Sequence, residues 1–152
     1  MIRGALWGTI WGILGACLGW MALCIGFAIQ GDPSALTALP LFCLFTAGLA
    51  TPGAFLLGLP LVSFLLLVAL NVASRPRFFA IAMAAGSALG LVNLVLSLVL
   101  LRGGRIAPAD VLGFPWFVPA LAGGISLGFG VARVVRREAH RAPLSPGWRG
   151  PW

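Results

Sequence analysis

Only a handful of side chains in this 152-residue sequence could take part in catalysis or bind a metal. They are three carboxylates, one histidine and three cysteines: Asp32, Asp110, Glu138, His140, Cys17, Cys24 and Cys43. No paired carboxylates for acid–base catalysis are present, and no C-x-x-C or Cys/His spacing predicts a metal site. One histidine cannot supply both axial ligands of a haem. We therefore expect no catalytic residue, no metal site and no cofactor held by this chain's own side chains.

The cysteines are better interpreted as small apolar residues. Cys17 and Cys24 lie seven positions apart on one helix face, about 10 Å along the axis, which is too far for a disulfide. Buried free cysteine is a common substitute for a small hydrophobic residue. We expect the same use for Cys43.

The composition predicts a membrane protein. The chain is 61% hydrophobic and 9% charged, whereas soluble domains carry roughly 25% charged residues. A soluble fold of this size could not bury so much apolar surface, but lipid accommodates it. The predicted fold class is an all-α, polytopic membrane protein.

Four apolar stretches are long enough to cross a bilayer, which takes about 20 residues each. They cover about residues 5–29, 39–70, 78–101 and 111–135, with polar, turn-rich connectors between them. We therefore expect a four-helix transmembrane domain at 1–135. A tail rich in Arg, Pro and Gly follows at 136–152.

The second stretch is longer than one crossing needs. As a straight helix it would rise about 46 Å, against a hydrocarbon core of about 30 Å. Pro52-Gly53 interrupts it and Pro60 follows, and proline removes a helix hydrogen bond. We interpret it as one tilted helix kinked at these residues, with its first part at the interface. The alternative is a re-entrant segment around 39–52, which would need protein or water around it.

Arginine predicts the orientation. With the N-terminus in the cytoplasm, all but two of the arginines lie on the inner side, and Arg102 and Arg105 lie outside beside Asp32 and Asp110. This arrangement satisfies the positive-inside rule, and its inverse violates it. We expect both termini in the cytoplasm and the chain in the inner membrane of a bacterium. The first apolar stretch is too long for a cleaved signal peptide.

The inner arginines also predict contact with anionic lipid. The expected head-group contacts are Arg75, Arg77, Arg133, Arg136, Arg137 and Arg141. A nucleic-acid partner is not expected, because no basic face is interleaved with exposed aromatic side chains. Structural lipids are the only bound molecules that we predict.

Glycine spacing predicts where helices approach each other. At about 100° per residue, six glycines of the first helix fall within a stripe about 80° wide: Gly4, Gly8, Gly12, Gly15, Gly19 and Gly26. Packing faces are also expected at Gly86, Gly90, Asn93, Gly124 and Gly128. Small residues allow close backbone approach, the main source of helix association in lipid. The first-helix stripe could serve packing within the chain or docking on a separate subunit.

Asn93 is the most polar residue deep in a predicted span. An amide in lipid needs a partner, so we expect it to bond to a backbone carbonyl or a hydroxyl on a neighbouring helix. Binding of a ligand or an ion is the other interpretation of this residue.

These features favour a non-catalytic accessory subunit of a larger inner-membrane complex, including energy-transducing complexes of the respiratory or photosynthetic kind. Its partners would be other integral membrane subunits. Two alternatives stay open. One is a self-associating, holin-like pore, suggested by the small size, the glycine stripe and the basic tail. The other is a small membrane transporter, in which the Pro52-Gly53 break would line a site.

The topology can be tested by cysteine labelling of intact cells in a cysteine-free background. Because the arginine bias places the first connector outside, Ser34→Cys should react with a membrane-impermeant maleimide, while Ser74→Cys should not. Both should react once the cells are permeabilised. The reverse pattern in intact cells would reject the orientation.

Overall fold

A computed structural model of the chain describes residues 2–72, 74–102 and 116–141. The described residues form four helices and no strand: α1 Ile2–Ile29, α2 Ser34–Asn71, α3 Arg75–Arg102 and α4 Phe117–Arg141. Each contains a stretch long and apolar enough to cross a membrane, so the predicted helical, multi-pass class is confirmed. Outside the described residues lie the predicted outer loop beyond Arg102 (103–110), the start of the predicted fourth span (111–115), the tail from 142 onward and the Arg141 side chain.

The second predicted span is a single helix of 38 residues with Pro40, Pro52 and Pro60 inside it. The segment at 39–52 is therefore part of α2. It also lies along α1, because Phe42 and Thr46 both contact Trp20. At about 1.5 Å per residue, α2 is about 57 Å long, well beyond the thickness of the hydrocarbon core. The kink and the tilt expected from this length remain predictions.

A tight turn joins α1 to α2. Gly31 has a φ of 102°, a left-handed conformation that glycine adopts at little cost. The backbone N–H of Asp32 then donates to the carbonyl of Phe27 at 3.0 Å, which satisfies one of the free carbonyls at the end of α1. The Asp32 carboxylate accepts from the backbone N–H of Ser34 at 3.2 Å, where α2 begins. The turn therefore sends α2 back antiparallel to α1.

α4 is the central helix of the bundle, with α1 on one side and α3 on the other. Against α1, the contacts run along most of its length. A Cβ added at Gly19 would lie 2.8 Å from the Cα of Pro119, and one added at Gly15 would lie 2.5 Å from the carbonyl oxygen of Ala122. Only small side chains of α4, those of Ser126 and Ala122, lie beside the backbone of α1 there.

The contact between α3 and α4 is similarly close. A Cβ on Gly86 would lie 2.8 Å from the Cα of Gly128, and one on Gly90 would lie 3.0 Å from the Cα of Gly124. Glycine is thus present on both helices where they cross. α4 presents Gly124 and Gly128 to α3, and presents Gly123 and Gly130 to α1.

Larger apolar side chains pack beyond these glycine contacts. Leu65, Phe78, Val131 and Val135 are almost completely buried and belong to one cluster, which draws on all four helices through Ala5 of α1. This cluster lies toward the end of the bundle that holds the start of α1 and the end of α4. It attaches α2 and α3 to the pair formed by α1 and α4.

The glycine contacts can be tested with a matched pair of alanine variants. Gly15→Ala should destabilise the bundle by about 1–3 kcal/mol, because its methyl group would press on the backbone of α4. Gly26→Ala should leave stability unchanged or slightly raised, since nothing lies within 4 Å of the added atom and alanine favours helix. Thermal unfolding of the purified protein in one detergent measures both. Equal melting temperatures for the two variants would contradict close packing of Gly15 against α4.

Candidate functional site

A cavity of about 80 Å³ lies among the four helices. Its wall is mostly apolar and includes Ala16 of α1, Leu57 of α2, Leu94 of α3 and Leu127 of α4. The polar groups along it are few: Thr46, Asn93 and Ser97, together with Trp116. The cavity is much smaller than the roughly 300–1,000 Å³ that is usual for a ligand site, so only a very small molecule would fit in it.

Small residues account for the position of the cavity. Gly12, Gly90, Gly123 and Gly124 all border it, so the wall on the side of α4 carries little side-chain volume. On the opposite side, α2 contributes Ala54. Because these residues leave room that their neighbours do not fill, the space persists between well-packed ends of the bundle.

Asn93 lies on the cavity wall and faces α2. Its Oδ1 lies so close to Gly53 that an added Cβ would collide with it, and that Cβ would be 3.1 Å from Asn93 Cγ. The side-chain amide makes no hydrogen bond with any residue in the described part of the chain. The expected bond to a neighbouring helix is therefore not found there. Instead, the amide borders the cavity next to the Pro52-Gly53 sequence of α2.

The other polar groups of the wall have partners. Ser97 Oγ donates to the backbone carbonyl of Asn93 at 2.8 Å, within its own helix. Thr46 Oγ1 accepts from Trp20 Nε1 at 2.8 Å, and both residues are buried. Asn93 is thus the polar side chain of this wall that remains free to bind an occupant.

An aromatic cluster borders the cavity on the side of Thr46. Trp20 is only 2% exposed; it stacks on Phe42 at 4.5 Å between ring centroids and meets Trp116 edge-on at 5.6 Å. Phe45 meets the other side of Trp116 at 5.1 Å. The cluster fastens the first part of α2 to α1 and α4, a role that the sequence did not reveal because the rings are far apart along the chain.

Most of the predicted packing glycines lie at contacts within the chain. Gly4, Gly8, Gly12, Gly15 and Gly19 all face α4 or α2, while Gly26 has nothing within 4 Å. Gly86, Gly90, Gly124 and Gly128 lie together where α3 meets α4. The face of α1 that could have docked on a separate subunit is therefore occupied by α4 of the same chain.

The predicted lipid-contacting arginines lie near one end of the bundle. Arg75, Arg77, Arg133 and Arg137 are exposed, which leaves them able to reach lipid head groups. Arg136 is partly buried, with its guanidinium 6.0 Å from the centre of the Phe78 ring. A guanidinium at this distance from an aromatic face is weakly attracted to it.

Among the residues that could take part in catalysis or bind a metal, the side chains of Cys17 and Cys43 lie next to each other between α1 and α2. The three cysteines are free, with Cys24 buried and the other two partly buried. Within residues 2–72, 74–102 and 116–141, no group of three His, Cys, Asp or Glu side chains is close enough to hold a metal ion. Comparisons with protein-family models, with curated proteins and with solved structures find no match to this chain.

Proposed function

We propose that this chain is a non-catalytic accessory subunit of a larger complex in the inner membrane of a bacterium. The observation that carries this proposal is the uneven burial of its helices. Within the membrane-spanning stretches, 50% of the residues of α4 are buried, against 17% for α3 and 22% for α2. Other helices of the same chain cover much of the surface of α4, whereas most of the surface of α3 is left to contact lipid or another protein.

The exposed face of α3 has the form of a helix-packing face. Ala80, Ala84 and Ala88 are exposed and spaced by four, so they form a row along the helix. At about 100° per residue, this row lies on the side opposite Gly86 and Gly90, which pack on α4. Small residues in such a row allow a second helix to approach closely, as the glycines do on the other side. We assign this face to a transmembrane helix of a partner subunit.

The partner face can be tested by enlarging one residue of the row. Ala84→Phe should reduce the amount of complex recovered after gentle detergent extraction at least tenfold, because the ring would hold the partner helix away. The bundle itself should stay folded, since Ala84 is exposed. Native mass measurement of the extracted complex, with identification of its chains, gives the readout.

Leu18→Phe is the matched control, because Leu18 is 60% exposed on α1, away from the row. It should leave the complex intact. If as much complex is recovered with Ala84→Phe as with the wild type, the partner helix does not bind this face. A wild-type protein that extracts as a lone homo-oligomer and conducts ions in liposomes would support the holin-like pore instead.

The cavity favours a second candidate function, that of a small membrane transporter. Asn93 is a polar side chain without a hydrogen bond in the described part of the chain, and it faces Gly53 on a mostly apolar wall. Such an amide could bind a carbonyl or hydroxyl of a solute that enters the cavity. No buried side-chain nitrogen or oxygen in the described part of the chain lacks a partner, so this amide is accessible from the cavity and available for binding.

A role of Asn93 in solute binding can be distinguished from a role in folding by measuring the uptake and the stability of the same variant. Asn93→Leu should abolish any saturable uptake by proteoliposomes, tested with a panel of radiolabelled small solutes. It should leave the melting temperature unchanged or raise it, because it removes an unpaired amide. The matched control is Asn71→Leu, at the exposed end of α2, where the side chain donates to Leu67 within its own helix. If the wild type shows no saturable uptake, the transporter function is rejected and the accessory-subunit function remains.

A further inference from the structure

A second cavity, a cleft of about 320 Å³, lies between the first turns of α1 and the last turns of α4. Arg3 of α1 and Arg133 and Arg137 of α4 line it, and all three are exposed. Glu138 is the acidic residue of the cleft. Within the described part of the chain, no ion pair neutralises these groups. Three guanidinium groups and one carboxylate leave the cleft with two positive charges.

The three arginines converge because of helix geometry. Arg133 and Arg137 are four residues apart, so they project from the same face of α4. α1 runs antiparallel to α4, so its first turn lies beside the last turns of α4, and Arg3 joins the pair. The sequence predicts lipid contact for Arg133 and for Arg137 but does not indicate Arg3. Only the folded structure brings Arg3, near the start of the chain, beside Arg133 and Arg137.

The deeper part of the cleft is aromatic. Trp7 and Trp11 follow Arg3 at intervals of four, so the three side chains form a row along α1, about 12 Å long. Gly130 lets Trp11 lie directly against α4: a Cβ there would be 2.8 Å from Trp11 Cβ. Trp7 is 48% exposed, so its ring is available to an occupant. The cleft therefore changes from guanidinium groups at its outer end to indole rings further into the bundle.

We propose that this cleft binds the phosphate head group of an anionic phospholipid from the surrounding leaflet. Arginine pairs with phosphate oxygens through two parallel hydrogen bonds, and two net positive charges match the one or two phosphodiester charges of such a lipid. Tryptophan prefers the depth of the lipid glycerol region, where its ring is buried and its N–H stays wet. A lipid needs both parts of the cleft, whereas a free phosphate ion needs only the arginines. The site is independent of the partner face on α3.

The test titrates phosphatidylglycerol onto the full-length protein in a neutral detergent and counts bound lipid by native mass spectrometry. The cleft variant is Arg133→Gln with Arg137→Gln, and the matched control is Arg75→Gln with Arg77→Gln. Both variants remove two exposed arginines near the same end of the bundle. Each arginine near a membrane surface contributes about fivefold to the affinity for anionic lipid. Arg75 and Arg77 do not line the cleft, so any lipid they contact is a different one from the cleft lipid. For the first lipid bound, we expect about 25-fold weaker binding by the cleft variant and binding within about twofold of the wild type by the control. The control's loss should fall on the lipids bound after the first.

Two further measurements complete the test. One distinguishes a lipid head group from free phosphate, and the other measures how much the indole rings contribute to lipid binding. Inorganic phosphate at millimolar concentration should not displace the lipid, and Trp7→Leu should weaken lipid binding severalfold. Equal losses in the cleft and control variants would show a diffuse surface field and overturn the site. Displacement by inorganic phosphate, or lipid binding unchanged by Trp7→Leu, would reduce the cleft to a site for simple anions. A cleft variant that binds lipid as tightly as the wild type would also overturn the proposal.

Discussion

The close approach of α4 to the backbones of two other helices is the constraint on which this bundle depends. Lipid tails are as apolar as leucine, so burying apolar side chains between helices gives little net drive in a membrane. Van der Waals contact at short range must replace it, and that contact requires that no Cβ stand between the backbones. Gly86 and Gly128 meet this requirement on one side of α4, and Gly15 meets it on the other. The cavity, the aromatic cluster and the arginine cleft are all arranged around this three-helix core.

Hydropathy predicted the four long apolar helices of the described residues because a chain in lipid must satisfy its backbone hydrogen bonds within each segment. Glycine spacing predicted packing faces, since direction around a helix follows from residue number. In α1 the glycines from Gly4 to Gly19 lie at contacts within the chain, and Gly26 does not. The helix that packs on each glycine face could not be predicted, because periodicity gives a direction around a helix and not the identity of its neighbour. The same limit explains Asn93 and Arg3. One was expected to bond to another helix and instead borders a cavity, and the other joins a cluster whose members are about 130 residues apart.

The cavity and the tight helix contacts have a common origin. Glycine at Gly90, Gly123 and Gly124 lets the helix backbones approach, and the same missing side chains leave space on the side that faces α2. α2 carries leucine and phenylalanine along most of its length, and it is held at Trp20 near one end and at Gly58 beside Ala5 near the other. Between these attachments the wall is formed by Ala54 and Leu57. The result is a bundle that is tight at both ends and open in its middle.

The central position of α4 also affects how the protein is made. Synthesis proceeds from the N-terminus, so α1 and α2 can pair through Trp20 and Thr46 while the remainder is still on the ribosome. α3 has far less to hold it, because its closest contacts are with a helix that comes later in the chain. Until α4 enters the membrane, the glycine faces of α1 and α3 are exposed to other membrane proteins. The interval between the third and fourth insertions is therefore the stage at which mispairing is easiest, and a chain truncated before Phe117 would lose the helix that joins the two halves.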